Sequence, residues 1–430
     1  MATSLQRTVL VGLGVIALVW SGVRGSEALT AYAKDRREVA DPVTRLPALR
    51  KSLAGFGLVD GPVADKPRPL GDATFVLAKV KELLSKDKQL AVIANGLVDA
   101  SALKDAKGAP QLRALIDELL AAKSYLPYEA LDDHSLFTTI VRSAERISIR
   151  VACIDATDDI KNGQIDKGLA KLTKTAVLVS YLADHTDPSG VIAWYAGTRM
   201  VTTGLLVAAG RPDIRPEQLE NASKCLDVLM KSPQMDRFCA RMMNELVLAC
   251  RNVDKMTDDD LANLNMNNRN THPPKTDKRS REAMESGLLA YWDANMPVAV
   301  NKSATALDRG LQIDTSLLPL QQEDHVDKYM LRTITPTVFQ IGQTITRGTQ
   351  LTVGCRTLLT AAKARLATGN YPHKLPTEAL NMVVDGCSYP IEYVYDSVHP
   401  AAVLAKEKMT DYDITRHVSV EPANGVYINL

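Results

Sequence analysis

The sequence predicts a mainly α fold: an N-terminal membrane helix, an antiparallel stack of α-hairpins and a small C-terminal β element. Three observations carry this. Leu, Ile and Val recur at three- and four-residue spacing through long segments between Ser135 and Val253, the pattern of amphipathic helices. Short polar breaks rich in Gly, Pro, Asn and Asp separate those segments, so consecutive helices must lie beside each other. Past Gly369 the apolar period drops to two, the period of strands.

The first element is Thr8 to Val23, sixteen residues without a charge, bracketed by Arg7 and Arg24. As a helix it rises ~24 Å against a hydrocarbon core of ~30 Å, and the flanking arginines can snorkel to the two interfaces. Trp20 near one end suits an interfacial indole. The segment also has the shape of a secretory signal, with Arg7 as its basic leader and Ser26, Ala28, Ala31 and Ala33 downstream, but Arg24 and Glu27 make a poor cleavage region. An uncleaved anchor that contacts the lipid bilayer is the expectation. Arg24, Lys34, Arg36 and Arg37 after the segment would hold the body in the cytoplasm by charge bias, whereas so short a leader ordinarily exports the chain behind it. The expected topology is single-pass with an extracytoplasmic body. Gly12-Leu-Gly14-Val-Ile-Ala17 matches a dinucleotide fingerprint by letters only, because no second strand ending in an acidic residue comes after it.

Residues 26–70 are charged and punctuated by Asp41-Pro42, Pro47, Gly55, Gly57, Gly61-Pro62, Pro67 and Pro69, a linker. A helical hairpin domain occupies 71–253. It opens with short helices at Ala73 to Leu84 and Gln111 to Ala122. Five longer ones come next, at Ser135 to Asp155, Asp166 to Ala183, Val191 to Ala209, Arg215 to Lys231 and Met235 to Val253. Residues 254–281 hold almost nothing apolar and read as a polar surface loop, in which Thr257 to Asp260 is a helix cap. Residues 282–367 are again helical, with one helix at Ser280 to Asn295 and a long one from Val338 to Ala367 that Gly369 closes from the left-handed position. In 368–430, Ser388 to Tyr395 and Tyr412 to Val420 alternate as strands, and Asn424-Gly425 turns the latter into Val426 to Ile428.

Composition excludes several classes. The chain has 430 residues, 46% of them hydrophobic, enough for a large core. Its 51 basic and 50 acidic residues leave a net charge of +1, and no dense Lys/Arg block occurs, so no nucleic-acid partner is expected. The six cysteines are Cys153, Cys225, Cys239, Cys250, Cys355 and Cys387. No CxxC exists, and most lie in apolar helical stretches where a cysteine is a small buried hydrophobe.

Two stretches resemble a family of membrane-anchored helical proteins frequent in planctomycete-like bacteria. Ala152 to Ala183 is similar to its hairpin, with Asn162-Gly163 in the break and Tyr181-Leu-Ala-Asp184 at the end. Leu358 to Leu375 is similar to its closing helix and the Gly369-Asn-Tyr371-Pro372 beyond it. The second stretch also resembles the helix-to-sheet junction of pseudopilin heads, although Ser4-Leu-Gln-Arg7 is not a pseudopilin processing motif. The resemblance implies architecture and location and carries no activity.

The histidines available for chemistry are His134, His185, His272, His325, His373, His399 and His417, none of which has a His or Cys at i+3 or i+4. Asp132-Asp133-His134, Glu323-Asp324-His325 and His325-Val-Asp327 put carboxylates beside imidazoles, a pattern that solvated helix starts share. Tyr371-Pro372 and Tyr389-Pro390 present tyrosines at turns, where each ring seals a helix–strand junction. No catalytic, cofactor-binding or metal residue is assigned, and no cofactor is implied. The expectation is a membrane-tethered scaffold with a protein partner; the alternative is an exported hydrolase or small-ligand binder whose site is assembled from distant residues. In intact cells with only the outer barrier permeabilised, protease should digest a C-terminal tag, and protection of the tag would put the body inside.

Overall fold

The computed structural model describes residues 72–94, 103, 106–122, 136–183, 188–233, 297–298, 301, 326–395, 400–404 and 428–429. The expected membrane segment Thr8 to Val23, the linker, the helices at Met235 to Val253 and Ser280 to Asn295, and the strand at Tyr412 to Val420 lie outside them. Among the described residues the fold is mainly α, with nine helices and then a small antiparallel sheet.

The first three helices are short. α1 (Asp72–Lys86) buries Ala73, Val76, Leu77, Val80 and Leu84, one stripe at helical spacing. α2 (Lys88–Ala94) starts where the Asp87 carboxylate accepts the Leu90 N–H at 2.9 Å. α3 (Ala109–Leu120) begins with Pro110 in its first turn and buries Leu112, Ile116 and Leu119 against α1.

Four long helices build the stack. α4 (Leu136–Lys161) and α5 (Ile165–Leu182) form an antiparallel hairpin. Its turn is a Schellman closure, in which Gly163 takes φ +82° while the Gly163 N–H reaches Ile160 O at 3.0 Å and the Gln164 N–H reaches Asp159 O at 2.8 Å. α6 (Pro188–Ala209) and α7 (Pro216–Leu229) each open on a proline at the first helical position, where no N–H is needed. α6 packs against α4, α5 and α7, and then against α8 (Val326–Thr368). Because neighbours surround it, α6 is apolar nearly all round. Within it, Gly190–Ala209 is long and apolar enough by composition to cross a membrane, and 61% of that window is buried inside the protein. Arg199 marks its open side.

Small residues set how closely these helices approach. A Cβ at Gly197 would lie 2.6 Å from Val179 Cγ2, and one at Gly204 would lie 2.9 Å from Leu172 Cδ2. The tightest case joins α6 to α8: Trp194 is wholly buried, and a Cβ at Gly348 would stand 2.3 Å from its Cη2 and Cζ3. α6 and α8 run parallel, since Trp194 meets Gly348 near one end and Ala209 meets Arg365 near the other. α7 runs against α8, paired by Asp227–Arg356 and by Glu220–Lys363 at 3.1 Å.

α8 begins twelve residues earlier than the expected Val338 and passes through Pro336. One lost N–H does not stop a helix with long stretches on both sides. At its other end Gly369 has φ +82°, and its N–H bonds Arg365 O at 2.7 Å, the left-handed cap the sequence predicts.

A single turn, α9 (Thr377–Leu380), leads into the sheet, ordered β1 (Asn381–Val384), β2 (Cys387–Tyr395), β3 (Pro400–Leu404), β4 (Ile428–Asn429), all antiparallel. β2 and β3 pack on α8. Sequence periodicity finds β2 and, at Ile428, the start of β4, which pairs with β3, while the expected turn at Asn424-Gly425 lies outside the described residues; it misses β1 and β3. β1 and β2 are joined by Asp385 (φ 52°) and Gly386 (φ 83°), a two-residue turn with both residues left-handed, as type I′ requires. Gly348→Val should drive a side chain into the Trp194 ring and cost about 1–3 kcal/mol by overpacking, read as a lower denaturant midpoint of the full chain; an unchanged midpoint would mean that this contact does not hold α8 in place.

Candidate functional site

Of the seven histidines, only His373 is among the described residues, exposed on the connection after α8. His134, His185, His272, His325, His399 and His417, with Asp132, Asp133, Glu323 and Asp324, lie outside them, and Asp327 stands in the first turn of α8. Among the described residues no group of three or more His, Cys, Asp or Glu is placed to hold a metal ion.

The described thiols are buried. Cys153, Cys225, Cys355 and Cys387, on α4, α7, α8 and β2, are thiols and take part in no disulfide. Burial raises the Cys153 and Cys355 thiols far above the ordinary range, and pushes Cys225 up to about 12 despite a hydrogen bond with Thr173 that works the other way. None of the three presents a thiolate near neutral pH. The ion pairs, in turn, tie helix to helix: Arg113–Asp155 at 2.9 Å joins α3 to α4, Lys167–Asp159 at 2.9 Å joins α5 to α4, and Arg215–Asp166 at 2.6 Å fixes the start of α7 to α5. Several buried hydroxyls bond their own helix, as Thr202 to Thr198 O at 2.8 Å, Thr349 to Ile345 O at 3.0 Å and Thr175 to Lys171 O at 2.8 Å.

The densest set of directed interactions sits where the stack meets the sheet. Arg365, in the last turn of α8, donates to the C-terminal carbonyls of α6 and the residues after it, Ala209 O at 3.2 Å and Arg211 O at 2.9 Å. A cation there also meets the negative end of the α6 dipole. Its other arm donates to Tyr371 Oη at 2.7 Å, with the guanidinium 4.9 Å from the ring centroid. Partial burial raises the Tyr371 hydroxyl, and the adjacent Arg365 charge opposes that shift. Tyr393 Oη donates to Pro372 O at 2.8 Å, and Tyr389 is buried beneath the sheet. Tyr371-Pro372 therefore sits at the junction, as the sequence predicts, whereas Tyr389-Pro390 lies within β2 opposite Met382 and Asn381 and not at the expected turn, because a proline is tolerated in a strand whose geometry is already extended.

Two further bonds pin the sheet. Thr357 Oγ1 donates to Ala379 O at 2.8 Å just before β1, and Ser232 Oγ to Asp385 Oδ2 at 2.8 Å in the β1–β2 turn. Comparison with models of known protein families, with curated proteins and with solved structures yields no match.

What the fixed sheet displays is β1. It is an outer strand of the described sheet, and Val383 on it is 67% exposed, the most open large apolar side chain among the described residues. In a two-residue hairpin the pair closing the turn, Val384 and Cys387, exchanges hydrogen bonds, so at the next pair, Val383 and Ser388, the Val383 N–H and C=O point away from β2. Asn381 to Val384 carries no Lys or Pro, the usual blunting of an edge. Sequence reasoning missed this strand, although Asp385-Gly386 between apolar residues was a signal for it.

The thiols also set a pH dependence. Above pH 9.0 an unfolded cysteine ionises while folded Cys225 stays protonated to about 12, so the unfolded state loses protons first and stability falls as pH rises through this window. The expected slope is up to about 1.4 kcal/mol per pH unit per thiol. Denaturant midpoints measured from pH 8 to 11 should fall, and should fall less steeply in Cys225→Ala; equal slopes would show that Cys225 does not contribute.

Proposed function

We propose that this protein is a membrane-tethered, extracytoplasmic interaction scaffold that displays a sheet edge to a protein partner. The observation that carries the reading is the exposed, uncharged strand β1, held rigidly on the stack by Arg365, Thr357 and Ser232. A strand edge with outward N–H and C=O groups is completed by another extended backbone. Val383, small and β-branched, favours an apolar side chain across from it. The partner is therefore an extended, uncharged segment that adds outside β1. The apolar Thr8 to Val23 segment and the linker of 26–70 support a tether that holds the edge away from the bilayer. The likeness to membrane-anchored helical proteins points the same way.

A photo-crosslinking residue placed at position 383 of the full-length protein in its membrane should give one adduct of defined mass. The same probe at Phe75, also exposed at 57% but on α1, should not. Val383→Lys should leave the denaturant midpoint unchanged and abolish co-purification of the partner captured at 383. Equal labelling from both positions, or none from 383, would overturn the reading.

A further inference from the structure

The polarity of β1 and the start of its turn is symmetric about one residue. Asn381-Met382-Val383-Val384-Asp385 reads polar, three apolar, polar, and its centre, Val383, is a residue whose N–H and C=O point away from β2. α9 ends at Leu380 and the left-handed turn starts at Asp385, which bounds the open edge on both sides. An edge with this pattern is complementary to a copy of itself that runs antiparallel to it. The occupant such an edge accepts is extended, uncharged and apolar opposite Val383, and β1 is itself such a segment.

Charge argues the same way. In a two-fold contact each residue near the axis meets itself or a close neighbour, so a charge there repels its own copy. Neither β1 nor the part of β2 paired with it, residues 387–390, holds a charged side chain.

We propose that β1 pairs with β1 of a second copy of this chain, antiparallel about a two-fold axis through the Val383 pair, which joins the two sheets into one. The inference rests on the edge-strand reading and names its occupant. Each Val383 N–H donates to the C=O of Val383 in the other copy, the hydrogen-bonded pair of an antiparallel ladder. On either side Met382 stands opposite Val384, and Asn381 opposite Asp385, apolar to apolar and polar to polar. The two Asp385 residues are four ladder positions apart, ~14 Å, beyond the ~8 Å over which exposed charges act at physiological salt. So short a ladder binds weakly by itself, and the proposed tether, which holds both copies at one height on a shared membrane, supplies the local concentration it needs.

The test uses the full-length protein, co-expressed in its membrane as two differently tagged copies. The photo-adduct formed from position 383 should have twice the mass of the chain. Val383→Lys in both copies, or Val383→Glu in both, should reduce co-purification of the two tags about tenfold or more, because like charges then face each other on the axis. Val383→Lys in one copy with Val383→Glu in the other should restore it, a recovery that neither misfolding nor an unrelated partner produces. An adduct of any other mass overturns the self-pairing and leaves the edge-strand reading standing. A mixed pair that co-purifies no better than the matched pairs overturns the self-pairing as well. No adduct from position 383 overturns both.

Discussion

The close approach of α8 to α6 is the constraint on which the rest of the described structure depends. Trp194 is the largest fully buried side chain among the described residues, and it fits only because Gly348 offers no Cβ in its path. Its indole N–H donates to Lys231 O at 3.2 Å, so the same ring that registers α8 also fixes the end of α7. From that contact α8 is aligned along α6 to Arg365, and Arg365 and Thr357 then place the connection into the sheet. Displacing one ring would move every later element.

Polar groups in the interior serve this packing. Thr349, Thr352 and Thr357 on α8 lie within its buried surface and bond carbonyls of the same helix, so they place no demand on a neighbouring element and let the helix pack at short range. Thr357 alone also reaches outside, to Ala379 O. Directed, charge-bearing contacts gather at the periphery, at helix ends and on outer faces, where they set register between elements that apolar packing alone would let slide. Glu145 of α4, a charged residue that is wholly buried, is the departure from this division.

Much of the fold was legible because periodicity and breakers agreed. The Asn162-Gly163 break and Gly369 are read correctly because each needs a left-handed residue that glycine supplies without strain. Helix starts were less legible. Pro188 and Pro336 look like stops in a sequence, but the first opens α6 and the second lies inside α8. β1 was missed because four residues are too few to show a period, and β3 because Pro400-Ala-Ala-Val-Leu404 lacks alternation. The candidate site was not legible at all. That Val383 is open depends on β1 being outermost in the described sheet and on the turn between β1 and β2, properties of assembly that no local pattern encodes. Tyr371 at the junction was legible, since Tyr-Pro fixes an extended backbone geometry by itself, but the same geometry serves a strand interior, which is where Tyr389-Pro390 lies.

The order of the chain gives the Trp194–Gly348 contact one more meaning. The carbonyls of α6 wait for Arg365, 156 residues further on, and α8 closes a face of the stack that α4 to α7 have already formed. A chain delivered from its N-terminus exposes that apolar face throughout synthesis of the intervening residues, until α8 arrives. Maturation of the described stack is thus gated by α8: a product cut short before it leaves the Trp194 side of α6 without the helix that packs on it, and without the sheet that follows.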